Sequence, residues 1–377
     1  MRACWSLENS STIASSPEWL QKETSLACLS VRSGFDALLH ALNFEPESEI
    51  LVSAITIRGM TQIIEAYGLV PIPLDLDMRH LSVLQESLSK AVTPRTKAIL
   101  VAHLFGSRMK MESILEFARS HQLLVIEDCA QAYTGTDYRG HPQSDISLFS
   151  FGSIKTATAL GGGVLHFRDA SLCQAVRDRQ EQWPIQSQQQ FCFRLCKYAL
   201  LMMLSYRATY TVFTGVCQMM GIDCDRLISN SVRGFSSDDF FARIRQRPCS
   251  ALLALLARRL QCFNRERIRQ RTKLAEQAIA LIPSYERPGS EASEHTHWVF
   301  PILCPDPERL MRHLWDRGFD ATRGGSSLYV VEAPENRPEM TPTEAKRAFQ
   351  QLLYLPIYTG VSLPEIERLA RALNDIH

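Results

Sequence analysis

At 377 residues, with 45% hydrophobic and 21% charged residues, the chain has the make-up of an ordinary soluble globular protein long enough for two domains. Its net charge of +1 gives no electrostatic case for nucleic acid as a partner. Eleven cysteines are scattered without a CxxC pair, which argues against a disulfide framework or a zinc site and suits a reducing compartment. The opening MRACWSLENSSTIASS lacks an apolar core of signal-peptide length, so the cytoplasm is the expected location.

Residues 1–24 are polar and irregular, and an arm on the domain surface is the most they suggest. From Ser25 short apolar runs alternate with helical patterns. Ser33-Gly34 opens a helix with Leu38, Leu39 and Leu42 on one face, and strands are expected at 50–54, 69–76, 98–102 and 123–127. Such alternation predicts a largely parallel sheet covered on both faces, whose ligands bind outside the carboxyl ends of the strands. Asp128 closes the strand LLVIE. A further apolar strand over Ile146–Phe151 feeds a turn that carries Lys155 before the triplet Gly161–Gly163.

The middle of the chain is less regular. The block 191–222 is strongly apolar, but Arg207 interrupts it and no uncharged run in it reaches the ~20 residues needed to cross a bilayer. Three readings stay open for it: helices at a subunit interface, a lid packed on the core, or a membrane-surface contact. Arg243, Arg245 and Arg247 alternate, so an extended segment would place all three on one side, where they could hold an anion or simply be solvated. Strong helical patterns follow over 250–260 and 265–282, and Pro283-Ser284 breaks the second. Beyond lie a strand at 298–304, a helix at 307–318 and a last helix with the capping-box pair Ser362 and Glu365. The expected division is 1–259 for a large domain with its apolar insert at 191–222, and 260–377 for a smaller α+β domain.

A lysine between small and hydroxylated residues at the end of a buried strand is costly as an ammonium, and one with a lowered pKa is a good Schiff-base nucleophile. Such a lysine bonded to pyridoxal phosphate (PLP) needs an electron sink that works only while the pyridine nitrogen stays protonated. A carboxylate against that nitrogen keeps it so. Lys155 and Asp128 fit those two roles. A phosphate is held by backbone N–H groups at a helix start, which Ser33 and Gly34 supply, and Ser150 can add a hydroxyl. His103, after the strand AILVA, reads equally as a structural histidine and as a cofactor contact.

SGFDALLHAL (33–42), TPRTKAILVAHLFG (93–106), LLVIEDCAQAY (123–133) and FSFGSIKTATALGGGV (149–164) together resemble the DegT/StrS family of sugar aminotransferases, PLP enzymes of fold type I. The likeness returns at 245–256 and 352–373. It implies Lys155 as the lysine of the internal aldimine and proton shuttle, and Asp128 as partner of the pyridine nitrogen. It also implies Gln131 near the ring hydroxyl, and Ser33, Gly34 and Ser150 around the phosphate. Arg247 stands where a family arginine reaches the neighbouring subunit's site, although Arg245 replaces the asparagine that usually accompanies it. Other departures are Phe35 for the family's threonine and Ile57 where an aromatic residue covers the ring. No histidine-bearing substrate motif occurs near 320–335. The resemblance implies a homodimer in which glutamate or glutamine donates an amino group to a keto-sugar, carried on a nucleotide. Two other readings accompany it. One is a non-catalytic PLP-binding or regulatory homologue; the other is a sugar dehydratase, whose usual histidine in place of the lysine is not found here.

Overall fold

The computed structural model describes residues 23–135, 137–204, 209, 219, 239–282, 285–324 and 328–375. The arm expected over 1–24 therefore lies almost wholly outside the described residues. So does the apolar block beyond Leu204, apart from residues 209 and 219.

Seven strands form the central sheet, in the spatial order Ser25–Cys28, Gly163–Phe167, Ile146–Ser150, Leu124–Asp128, Thr96–Ala102, Glu49–Ser53, Val70–Leu74. Five of them pair in parallel, and Gly163–Phe167 runs against both of its neighbours. All six remaining strands thus end at one edge. The strands read as unbroken apolar runs because helices cover both faces. On one face Leu38, Leu39 and Met60 pack over Val52, Leu100, Ile126 and Leu148. On the other, Leu88, Ile114 and Leu115 pack over Leu51, Ile99 and Val125. Alternation along Leu124–Asp128 then decides which face each acidic side chain meets: Asp128 continues the face of Ile126, and Glu127 that of Val125.

The helix expected to open at Ser33-Gly34 begins two residues earlier, as Val31–Leu42, with Ser30 as its N-cap. Ser30 Oγ accepts from the Ser33 backbone N–H at 3.1 Å, and this side-chain cap sets the start. The register Cys28↔Gly163↔Ser150 puts that helix start at the carboxyl edge. A Cβ on Gly163 would lie 2.6 Å from Val31 N, so only glycine lets the helix start pass so close.

The row of three arginines does not form. Phe240–Ile244 is helical, which leaves Arg243 exposed on the helix while Arg245 and Arg247 turn to separate partners. The strand expected at 69–76 divides into Val70–Leu74 and Leu76–Asp77, and that at 298–304 shortens to Phe300–Leu303.

The helix Ser250–Gln261 packs with Phe149, Phe151 and Phe191 in the core of the first domain. A second core begins within Glu266–Leu281 and gathers Phe300, Ile302, Leu310, Leu314, Leu353 and Leu373 around the antiparallel pair Phe300–Leu303 and Leu352–Leu355. Its last helix, Leu363–Asn374, starts with the expected capping box. Two of its segments reach back to the sheet's carboxyl edge: Leu328–Val330 pairs with Ile55–Ile57, and Thr296 N and Trp298 N donate to Gly106 and Phe105 carbonyls. A Cβ on Gly106 would meet Trp298 N at 2.6 Å, with φ at +95°, so this junction too depends on glycine.

Candidate active site

Asp128 is the last residue of its strand and is buried. Its carboxylate accepts the Ala130 N–H at 2.9 Å. Burial raises its pKa; the Ala130 hydrogen bond and the charges of Lys155 and His103 act the other way without cancelling it. Its register partner on the next strand is Leu148, two residues before Ser150, so Asp128 and Ser150 share one face of the sheet at its edge. Ser150 is half-buried.

Lys155 sits in the loop between Ser150 and Gly163, its N–H donating to Gly152 C=O at 3.1 Å. Burial lowers its pKa from 10.5 to about 8; the charge of Asp128 opposes that shift, and Arg32 adds to it. The ammonium is thus readily emptied of its proton, which is the state a nucleophile needs. Its Nζ lies 4.9 Å from the centre of the Trp298 ring, and Trp298 Nε1 donates to Ile154 C=O at 3.3 Å.

Gln131 follows the strand of Asp128 and accepts the Phe105 N–H through Oε1 at 2.7 Å, bracing the loop under Trp298. Ser33 is buried, its hydroxyl 2.9 Å from Ser30 Oγ, and Gly34 N donates to Ser30 C=O. The first turn of the helix, rather than Gly34, therefore carries the outward N–H groups. Arg32 in that turn is the cation whose field reaches Lys155. Arg247 donates from Nε to Trp183 C=O at 3.0 Å and from its backbone to Pro184 C=O, both within its own chain. The structure thus brings Asp128, Ser150, Lys155 and the helix start of Ser33 to one edge, with Gln131 behind them.

Trp298 and Arg32 escaped the sequence reading. Trp298 lies at the head of a second-domain strand, and nothing local marks it as facing a lysine 143 positions earlier. Arg32 precedes a serine-glycine pair, and a surface arginine would look the same.

On the opposite face, Glu127 is fully buried and saturated. It accepts from His103 Nε2 at 2.9 Å, Tyr138 Oη at 3.1 Å and His141 N at 2.7 Å. Burial pushes its pKa up, but the His103 and His141 hydrogen bonds more than reverse this, to about 2. His103 Nδ1 accepts the Met109 N–H at 3.2 Å, so Nε2 carries the proton toward Glu127. Although His103, Glu127 and Cys129 bring three metal-ligating atoms within 4.8 Å, those atoms are occupied by hydrogen bonds, and the structural reading of His103 is the one the geometry favours.

The donor set fits PLP: a lysine drawn toward its neutral form, a buried acid in no close ion pair among the described residues, and a helix start that a Cβ at position 163 would fill. Comparison with known proteins agrees. Residues 17–198 match the model of the DegT/DnrJ/EryC1/StrS aminotransferase family. The chain is 35% identical over 155 residues to GDP-perosamine synthase of Caulobacter vibrioides, covering 40% of this chain and 42% of that one. It is 38% identical over 152 residues to UDP-N-acetyl-3-dehydro-alpha-D-glucosamine 3-aminotransferase of Acidithiobacillus ferrooxidans, covering 38% and 41%. The match therefore spans less than half the length of these curated relatives. The structure of NtdA from Bacillus subtilis, with bound cofactor PMP, superposes with a TM-score of 0.68 over 98% of this chain and 77% of its own, at 19% identity. That likeness shows the fold: α/β, fold type I, a mostly parallel sheet with a smaller second domain.

Proposed function

Because residues 17–198 match the model of the DegT/DnrJ/EryC1/StrS aminotransferase family, we propose that the chain moves an amino group from glutamate or glutamine to a keto-sugar carried on a nucleotide, with pyridoxal phosphate held at the sheet's carboxyl edge. The observation that carries this reading is Lys155, driven toward its neutral form by burial, facing a buried carboxylate across that edge. The two curated relatives support the acceptor class, since their names specify GDP- and UDP-linked sugars.

When bound, PLP supplies an electron sink for the carbon from which a proton is removed. Lys155, with its amine drawn toward the neutral form, would hold the cofactor and would move a proton between the amino-bearing carbon of the donor and the far side of its nitrogen. Asp128 would hold the proton on the ring nitrogen. Burial alone leaves its charge costly, so a cation against it is the partner that settles the carboxylate in its ionised form. Ser33, Ser150 and Arg32, with the first-turn N–H groups, would hold the phosphate, and Gln131 would stand near the ring hydroxyl. The retained lysine argues against the dehydratase alternative.

The functional unit is a homodimer in the cytoplasm, which accords with the family and with the composition. No helix among the described residues is long and apolar enough to cross a membrane.

Borohydride treatment of the PLP-loaded protein should fix the cofactor covalently, and Lys155→Ala should abolish that attachment. Label retained in the variant sinks the lysine assignment. A yellow protein that undergoes no half-reaction with glutamate, glutamine or other amino acids would favour the regulatory homologue.

A further inference from the structure

Helices of globular proteins turn one apolar stripe inward and leave the other faces polar. The helix Gln188–Leu204 does not. Its inward side is occupied: Phe191 is fully buried and Leu195 packs beside it, against Leu252 and Leu256 of Ser250–Gln261. The opposite side is apolar as well. Phe193, Cys196, Leu200 and Met203 follow one another at steps of three, four and three, so they line a single stripe, and that stripe faces outward: Phe193 is 75% exposed, Leu200 58% and Met203 61%.

Gln188 Nε2 donates to Ser250 Oγ at 2.8 Å, which sets the two helices side by side from a common level. The partner has 12 residues and this helix is described over 17, so the turn with Leu200, Met202 and Met203 runs past the partner's end. What lies beside that overhang is basic. Arg258 and Arg259 are exposed in the partner's last turn, and Lys197 lies within the apolar stripe itself. From Arg258 to Lys273 the sequence has seven basic residues and one acid, Glu266, and from Gln182 to Leu204 it has no acid at all.

We propose that this helix docks on an anionic lipid surface, lying in the interface with Phe193, Leu200 and Met203 among the acyl chains and Lys197, Arg258 and Arg259 at the headgroups. Charge decides between this occupant and a second copy of the chain. A two-fold contact sets the same patch against itself and would bring Lys197, Arg258 and Arg259 toward their own copies, whereas an anionic bilayer neutralises them.

The test is flotation of the full chain with vesicles of phosphatidylcholine alone and of phosphatidylcholine with phosphatidylglycerol, at low and high salt. The chain should float with the phosphatidylglycerol vesicles and do so less as salt rises. Leu200→Glu should reduce the bound fraction by roughly tenfold or more, and the pair Arg258→Glu with Arg259→Glu by a similar factor. Both sites are exposed, so circular dichroism melting should match wild type and show that folding is intact. Wild type that stays unbound to the anionic vesicles overturns the proposal, as does Leu200→Glu floating like wild type. A lipid-free dimer that dissociates on Leu200→Glu, seen by sedimentation, would assign the stripe to a second copy instead. None of these readouts depends on amino transfer, so the two proposals stand or fall separately.

Discussion

In the proposed reaction Lys155 would carry the chemistry because of where its charge is costly. Its pKa of about 8 arises first from burial and only then from Arg32, with Asp128 pulling the other way. Attachment of PLP to the cofactor-free protein should therefore rise with pH and reach half its maximum near pH 8, against 10.5 for an ordinary lysine, as read from borohydride-fixed label in short incubations. Asp128→Asn removes the one charge that raises this pKa, so the midpoint should move to lower pH; an unmoved midpoint would mean that Asp128 does not face the amine. The stability linkage has a definite sign. Between about pH 8 and 10.5 the unfolded chain holds a proton on this lysine that the folded chain has lost, so stability rises with pH across that window. On the far face, Glu127 serves structure. Glu127→Ala leaves the His103 ring, the Tyr138 hydroxyl and the His141 N–H without their acceptor, and should cost about 3 kcal/mol or more in urea unfolding.

At the scale of elements, the helix Val31–Leu42 must be held so that its start points at the site. Part of that grip comes from a distant segment. Arg245 donates from Nε and one terminal nitrogen to the two oxygens of Asp36, each at 3.0 Å, while its guanidinium lies 4.6 Å from the Phe241 ring centre. Asp36 is fully buried, so Arg245→Ala strands a carboxylate and should destabilise the chain by about 3–5 kcal/mol in urea unfolding. Arg245→Lys should recover only part, because an ammonium cannot form the planar two-point contact. This contact explains what the sequence could and could not show. The strands, and with them the placement of Asp128 at a strand end and of Lys155 in the loop after Ser150, are legible because short apolar runs and strand-end punctuation are local signals. The same holds for the capping box of Ser362 and Glu365. The arginine row was misread because alternation in sequence has no meaning once Phe240–Ile244 folds as a helix, and because the partner of Arg245 lies 209 positions away. Trp298 is illegible for the same reason: its place over Lys155 follows from how the second domain lies on Phe105 and Gly106.

For the whole molecule the question is what keeps the two domains seated, and acid is the lever that tests it. His295 pairs with Ser107 on a short bridge strand at the junction, and His297 stacks on it at 4.1 Å. Burial lowers both, to about 3 for His295 and about 4 for His297; each is also lowered by nearby positive charge, chiefly that of Arg271 for His297. His166, between the strands Ser25–Cys28 and Ile146–Ser150, is lowered by burial to about 3. A histidine whose folded pKa lies below its unfolded 6.5 contributes stability fully above pH 6.5, because only the unfolded chain takes up protons as pH falls. Glu127, held near 2 against 4.5, adds a loss of the same sign at lower pH. The unfolding free energy from urea titrations should thus fall steadily from about pH 6.5 to pH 4, by at most about 2 kcal/mol per histidine after allowing for partial exposure. His297→Asn should flatten that slope by removing one titrating group from the junction. A slope identical to wild type would show that His297 binds protons alike in the folded and unfolded chains, and that burial at the junction that seats Trp298 over Lys155 does not hold its pKa down.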